Sequence, residues 1–291
     1  MRPVLLSFLM CLATISSPGL ANDPMKEMED PGERLILVGT QLAEIVFALG
    51  AGERVAATHG YRDHIPSIEQ TEAIRGFGPA VRSAETLLAF RPSAVWYMDS
   101  RIDEPTLAAL AAIGTPLTRF PNAWTIEDIP AHIERIASAL DRKAAGKALV
   151  ADFLDQTAAL AALPALDPQP SAIFILAGGN RPMLTAGRDS DFQRLMDLAG
   201  GRNASSHRGF QLLSAEEMMR IAPDIIFLLD EALPPGQPPV VAELPGLRFT
   251  PAARQGRYRE IKGYCLSDFG INTPRCARRL RETLEHPDKH P

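Results

Sequence analysis

Two stretches of this chain are written to one plan, and a chain that repeats itself this way has few folds open to it. Ser83-Ala-Glu-Thr-Leu-Leu-Ala-Phe-Arg-Pro-Ser-Ala-Val95 and Ser214-Ala-Glu-Glu-Met-Met-Arg-Ile-Ala-Pro-Asp-Ile-Ile226 share an order of parts. Each has a serine that can cap a helix, a glutamate in the first turn, an apolar face, a terminating proline and a following apolar strand. One reading is a sound helix-to-strand recipe in which each glutamate complements the helix dipole. The other is two equivalent lobes presenting equivalent carboxylates, Glu85 and Glu216.

The surrounding sequence supports two lobes. Arg34 to Val38 is a short apolar strand, Leu42 to Leu49 a helix closed by Gly50, and Val55 to Ala57 a strand entering the polar loop Thr58 to Pro66. Helix Ser83 to Phe90, strand Ala94 to Tyr97, helix Thr106 to Ile113 and the extended Pro116 to Phe120 follow. Strands alternating with helices imply a parallel sheet covered on both faces. From Ile126 to Leu163 apolar residues recur at helical spacing, and Pro164 to Pro170 is a connector. The alternation then restarts with strand Ala172 to Leu176, helices Ser190 to Leu198 and Ser214 to Ile221, strands Asp224 to Leu229 and Tyr258 to Ile261, and helix Pro274 to Leu284. The expected fold is α/β: two α/β lobes joined by a single long helix. Its N-terminal lobe covers 34–125, its inter-lobe helix region 126–163 and its C-terminal lobe 170–286.

The chain has 291 residues, 46% hydrophobic and 22% charged, which suffices for buried cores and argues against disorder. A formal net charge of −5 disfavours nucleic acid as a general partner. Residues 1–21, MRPVLLSFLMCLATISSPGLA, have a positive start, an apolar stretch too short to span a bilayer and small residues at Gly19 and Ala21. They are expected to be a signal peptide cleaved after Ala21. Lipid anchoring at Cys11 is disfavoured because Met10 is bulky. Cleavage leaves Cys265 and Cys276, an even pair that in an oxidising compartment is a disulfide candidate. Two buried thiols or a metal pair are the alternatives, and no Cys-x-x-Cys spacing supports a metal.

Five segments carry a family resemblance. They are Arg34-Leu-Ile-Leu-Val-Gly-Thr-Gln-Leu-Ala-Glu-Ile-Val-Phe-Ala-Leu-Gly50, Gly178-Gly-Asn-Arg-Pro-Met-Leu-Thr-Ala-Gly-Arg188, Leu198-Ala-Gly-Gly-Arg-Asn-Ala204, Leu244-Pro-Gly-Leu-Arg-Phe-Thr-Pro-Ala252 and Phe269-Gly-Ile-Asn-Thr-Pro274. In this order the chain resembles the periplasmic substrate-binding proteins of iron-chelate and vitamin B12 ABC transporters, nearest the haemin-binding branch. The resemblance implies two lobes bridged by one long helix, and a monomer in the periplasm without enzymatic activity. It implies no intrinsic cofactor, with haem as the transported ligand. Its partners would be an ABC permease with its ATPase and a small-molecule iron chelate or tetrapyrrole. Glu85 and Glu216 match the family's two carboxylates that dock onto permease arginines.

The ligand positions depart from that pattern. Haemin-binding relatives carry Gly-Tyr-Met-Arg ahead of the Ser-Ala-Glu helix, whereas the matching stretch here is Arg75-Gly-Phe-Gly-Pro-Ala-Val-Arg82. Phe77 stands at the tyrosine position and has no oxygen for iron; Arg82 ends the stretch. Ala177 stands where some relatives have a histidine. The loop Thr58 to Pro66 offers Tyr61 as a tyrosinate ligand to haem iron, Arg62 to stabilise its charge, and His59 and His64 as imidazoles. Each can also be read as a loop side chain in solvent. Tyr97, with Trp96 and Met98, can form a wall of a cleft, although Trp96 equally suits a core. Arg181 and Arg188 suit ligand carboxylates or structural ion pairs. Tyr264 and Phe210 add aromatic surface. A ferric siderophore or a corrinoid is the alternative ligand. A bare metal ion on His59, His64 and His207 is a further reading, as is a metal chelatase. No nucleophile elbow, Walker loop or dinucleotide fingerprint supports an enzyme.

Overall fold

The structure is a computed structural model describing residues 33–59, 75–77, 83–99, 101–176, 183–229, 246–266 and 269–288, with backbone alone at 59 and 75–77. The expected leader, 1–21, lies outside these residues. No helix among them is long and apolar enough to cross a membrane.

The N-terminal half is built on β1 (Leu35–Val38), whose four residues are all buried. A strand apolar at every position needs cover on both faces, the condition of a central parallel strand. After β1 come α1 (Thr40–Ala48), β2 (Val55–His59), β3 (Arg75–Phe77), α2 (Ala84–Leu88), β4 (Ala94–Met98), α3 (Glu104–Ala112) and β5 (Leu117–Phe120). The sheet order is β3-β2-β1-β4-β5, with all pairs parallel. Leu35 and Leu37 enter the cluster with Ile45, Trp96 and Phe120, and Ile36 and Val38 enter a second cluster with Leu87, Val95 and Leu110. The turn from β1 into α1 requires Gly39, at φ 144°. A Cβ there would sit 2.7 Å from Met98 Sδ.

The helical stretch after β5 is not one helix. It divides into α4 (Ile129–Ala139) and α5 (Lys143–Ala161). Asp141 takes a left-handed conformation, φ 57°, and the chain reverses there. Aspartate tolerates that region through its short polar side chain, so the break needs neither glycine nor proline. Apolar spacing therefore runs on through the turn unmarked. The two helices pack closely where Gly146 meets Ala137, and a Cβ at 146 would lie 2.5 Å from the alanine Cβ. Helix α5 belongs to both halves: Phe153 is buried in the first core and Leu160, two turns on, in the second.

The C-terminal half comprises β6 (Ser171–Leu176), β7 (Leu184–Ala186), α6 (Asp191–Ala199), β8 (Arg202–Asn203), β9 (Phe210–Leu212), α7 (Ala215–Ile221), β10 (Ile225–Leu229), α8 (Pro251–Arg254), β11 (Tyr258–Ile261) and α9 (Thr273–Glu285). Its sheet runs β11-β10-β6-β7-β9, with β8 also on β6. This sheet is mixed, unlike the parallel arrangement that strand–helix alternation implies. Strand β7 is antiparallel to β6, and β9 to β7. The link from Leu176 to Leu184 is too short for a crossover helix, so the chain must turn back as a hairpin. Phe269, from the segment before α9, packs into the first core under the Arg194 guanidinium, 5.7 Å from its ring. The two cores are thus joined by α5, by Phe269 and by Leu198 of α6, which packs against both.

Candidate functional site

In parallel sheets ligands gather at the carboxyl ends of the strands. One row crosses the first sheet there through Gly76, Thr58, Leu37, Trp96 and Thr118. One residue further toward the carboxyl edge, His59 pairs with Phe77, Val38 with Tyr97 and Tyr97 with Arg119. Three residues expected at the site, His59, Phe77 and Tyr97, therefore fall on a single level of the sheet. Tyr97 is half-buried against the Val38 cluster. Trp96, on the opposite face, is core: it is 5% exposed and stacks obliquely on Phe120.

The same edge holds groups that sequence reasoning missed. The exposed Arg119 pairs with Asp99, just past β4, donating from Nη2 to Oδ2 at 2.7 Å. That bond holds the Asp99 carboxyl below the usual range and raises the guanidinium. Trp124, in the segment leaving β5, is 58% exposed. The available signal was position: a cation next to a strand's last residue and an indole just beyond it. In the first turn of α1, Gln41 and Glu44 are buried. Glu44 occupies space left by Gly270, where a Cβ would lie 2.6 Å from its Oε2. Neither polar atom of the Gln41 amide has a hydrogen-bond partner among the described residues. Polar groups thus seal the junction where the two halves meet.

The repeated segments are equivalent down to the backbone. Ser83 accepts from the Thr86 N–H at 3.3 Å, and Ser214 from the Glu217 N–H at 3.1 Å. Each helix is followed by a non-glycine residue at positive φ ahead of a proline: Arg91 at 49° and Ala222 at 42°. Ser93 then accepts from the Arg34 N–H at 2.8 Å and returns its own N–H to the Arg34 carbonyl. Asp224 accepts from the Ser171 N–H at 2.8 Å and returns its N–H to the Ser171 carbonyl. These contacts clamp β4 to the start of β1, and β10 to the start of β6. Glu85 and Glu216 stand at the same place in each unit, and both are exposed. Ser83 also donates to Glu85 Oε2 at 2.7 Å, which lowers the carboxyl's pKa.

In the second half, Tyr264 lies just past β11, half-buried against the core. Phe210 is 51% exposed on β9. Arg188 is exposed but does not reach the carboxyl edge. Leu184 pairs with Leu176 at that edge, and antiparallel β7 then carries the chain away from it. His207 accompanies Arg188 there, its carbonyl accepting the Arg188 N–H at 2.7 Å. The hairpin that escaped sequence reasoning is what removes both. Cys265 and Cys276 form a disulfide. Tyr61, Arg62, His64, Arg82 and Arg181 lie outside the described residues, as does Ala177, and the side chains of His59 and Phe77 are not described.

Comparison with known proteins accords with this architecture. The periplasmic haem-binding protein RhuT from Roseiflexus sp. RS-1, in apo form, superposes with a TM-score of 0.79 and 27% identity, over 89% of this chain and all of that one. The periplasmic haem-binding protein BhuT, solved with two haems, gives 0.75 and 27%, again over 89% of this chain and 100% of that one. A vitamin B12-binding protein of Yersinia pestis (strain Pestoides F) is 26% identical over 203 residues, 67% of this chain and 68% of its own. Its relatives are substrate-binding transport proteins rather than enzymes. Residues 35–264 match the periplasmic binding protein family model, and the chain belongs to that family.

Proposed function

We propose that this chain is the substrate-binding component of an ABC importer, exported to the periplasm by the leader at 1–21, and that it carries haem between its lobes to the permease. The observation that carries the transport reading is the pair of equivalent capped helices, each presenting an exposed glutamate in its first turn. Two like carboxylates on two like lobes suit arginines on a membrane permease, where such pairs orient the complex and speed its formation. The protein acts as a monomer and returns its ligand chemically unchanged.

Haem is supported by relatives named for it at 27% identity across nearly the whole chain. The carboxyl edge suits a flat apolar ligand with acidic margins: Tyr97 and Trp124 for its faces, Arg119 for a propionate. Arg82 and Arg181 serve as further rim cations and Tyr264 as aromatic surface. Since Phe77 has no oxygen to offer, iron ligation falls to Tyr61 with Arg62 beside it, and His59 and His64 are the next candidates. A corrinoid is the second reading, favoured by the vitamin B12-binding relatives.

An absorption titration of the purified protein with haemin, run beside Tyr61→Phe, tests this. The expected result is a saturable Soret shift at one equivalent, with the tyrosinate charge-transfer bands lost in the variant. A shift that keeps those bands in the variant moves the iron to another ligand. No saturable shift, together with saturable cyanocobalamin binding, replaces haem by a corrinoid.

A further inference from the structure

The hairpin that turns the second sheet back from its carboxyl edge sets three leucines in a row. Leu176 ends β6, Leu184 opens β7 and Leu212 ends β9, and the register pairs Leu176 with Leu184 and Leu184 with Leu212. Side chains directly opposite one another project from the same face, so the three form one line, about 10 Å long at ordinary strand spacing. Leu212 is 67% exposed and Leu176 36%, and Leu184 is half-buried. Phe210, two residues before Leu212 and on the same face, extends the exposed surface. Single exposed apolar side chains are ordinary, whereas neighbours in line across three strands form a contiguous patch of the kind that marks a binding surface.

The place of this row in the fold indicates what covers it. Two residues further in, Phe174 and Ala186 lie on the same face and are buried with Phe192 of α6. Helix α6 also touches the first half, through Leu198, which packs against both cores, and through Arg194 over Phe269. The leucine face is therefore the one turned toward the first half. The row stands at the carboxyl end of β6, where ligands of such sheets gather. The corresponding edge of the first half brings Tyr97, Arg119 and Trp124, whereas this row brings hydrocarbon.

We propose that the Leu176–Leu184–Leu212 row seats the hydrocarbon margin of the ligand, and so selects a tetrapyrrole whose acid groups lie along one side only; this rests on the haem reading above. The vinyl and methyl groups lie on the leucines, and the propionates turn toward Arg119. The length of the row is comparable with the breadth of a porphyrin ring. A corrinoid bears amides around its ring, and pressing them against leucine would strip them of hydrogen bonds. A porphyrin with carboxylates on every side meets a larger penalty of the same kind.

The test is an absorption titration of the purified protein with haemin and with iron(III) coproporphyrin III, in which propionates replace the two vinyl groups. The parent is expected to prefer haemin by about tenfold or more. Leu212→Arg, at an exposed position that keeps the thermal midpoint near that of the parent, weakens haemin about tenfold and tightens iron coproporphyrin. Leu176→Gln weakens haemin without that gain. The proposal is overturned by equal affinity of the parent for the two porphyrins, or by unchanged haemin affinity in both variants. It is also overturned if the parent sediments as a dimer that Leu212→Arg dissociates, which makes the row a contact between copies. These results leave haem in place as long as the parent still saturates with haemin. Saturable cyanocobalamin binding with none of haemin overturns the proposal and the haem reading together.

Discussion

The two halves of this molecule solve one problem with different means. Each places its first strand at the heart of a sheet, pairs it with the strand that follows a Ser-Ala-Glu helix, and clamps the two strands at their start. Beyond that unit they diverge. The first half is parallel throughout and sets His59, Phe77, Tyr97 and Arg119 on one level of its carboxyl edge. The second turns back through a hairpin, takes its clamp from a carboxylate instead of a hydroxyl, and ties its last strand to α9 with a disulfide. The difference teaches that the repeated unit sets the position of the outward glutamates, while the remainder of each half is free to specialise. In the first half that freedom builds an all-parallel carboxyl edge; in the second it builds a covalently braced flank.

The largest test of the comparison is helix α5, which serves both cores. Phe153→Ala is expected to cost about 3–5 kcal/mol and Leu160→Ala about 2–5 kcal/mol, each from a fully packed position. Because one helix carries both side chains, either change should lower a single cooperative melting transition, followed by calorimetry. Two resolved transitions would show the halves unfolding independently. Next in size is the brace: replacing Cys265 and Cys276 together by serine should cost about 2–3 kcal/mol, read from denaturant unfolding. Binding at the carboxyl edge of the first half should be untouched.

The clamps give a finer comparison. Asp224→Ala removes a carboxylate that accepts from both the Ser171 N–H and its hydroxyl, and should cost about 1–3 kcal/mol. Ser93→Ala removes one bond from a neutral hydroxyl and should cost about 1 kcal/mol. Equal losses would mean that the carboxylate adds nothing to the device. The smallest expected effect concerns pH. His132 of α4 is buried, and desolvation lowers its pKa, only partly opposed by Asp128. The unfolded chain therefore binds this proton more readily than the folded one, so stability falls as pH drops through the ordinary histidine range near 6.5. The thermal midpoint should decline between about pH 7.5 and 5.5, and His132→Gln should flatten that slope.

Much of this architecture could be read from local sequence. Strands such as Leu35–Val38 and Ile225–Leu229 are apolar runs bounded by turn residues, and the helices begin at Ser83, Ser190 and Ser214, each a working cap. The site was less legible. Arg188 follows a glycine-rich motif in a way that suggests ligand contact, yet the hairpin ahead of it points the chain away from the edge. Arg119 was passed over inside a short strand, although its level in the sheet brings it beside Tyr97.

The sequence by itself determined the main strands and helices, such as Leu35–Val38 and Ile225–Leu229, and the twin glutamates in the first turns of capped helices, because capping, apolar periodicity and proline stops act within a few residues. Tertiary structure decided which side chains share a place. Register put Tyr97 level with Arg119, a left-handed Asp141 split one periodic stretch into two helices, and Gly270 made room for Glu44. Such pairings depend on strand register and chain reversal, which local preference leaves free and only the packed whole decides.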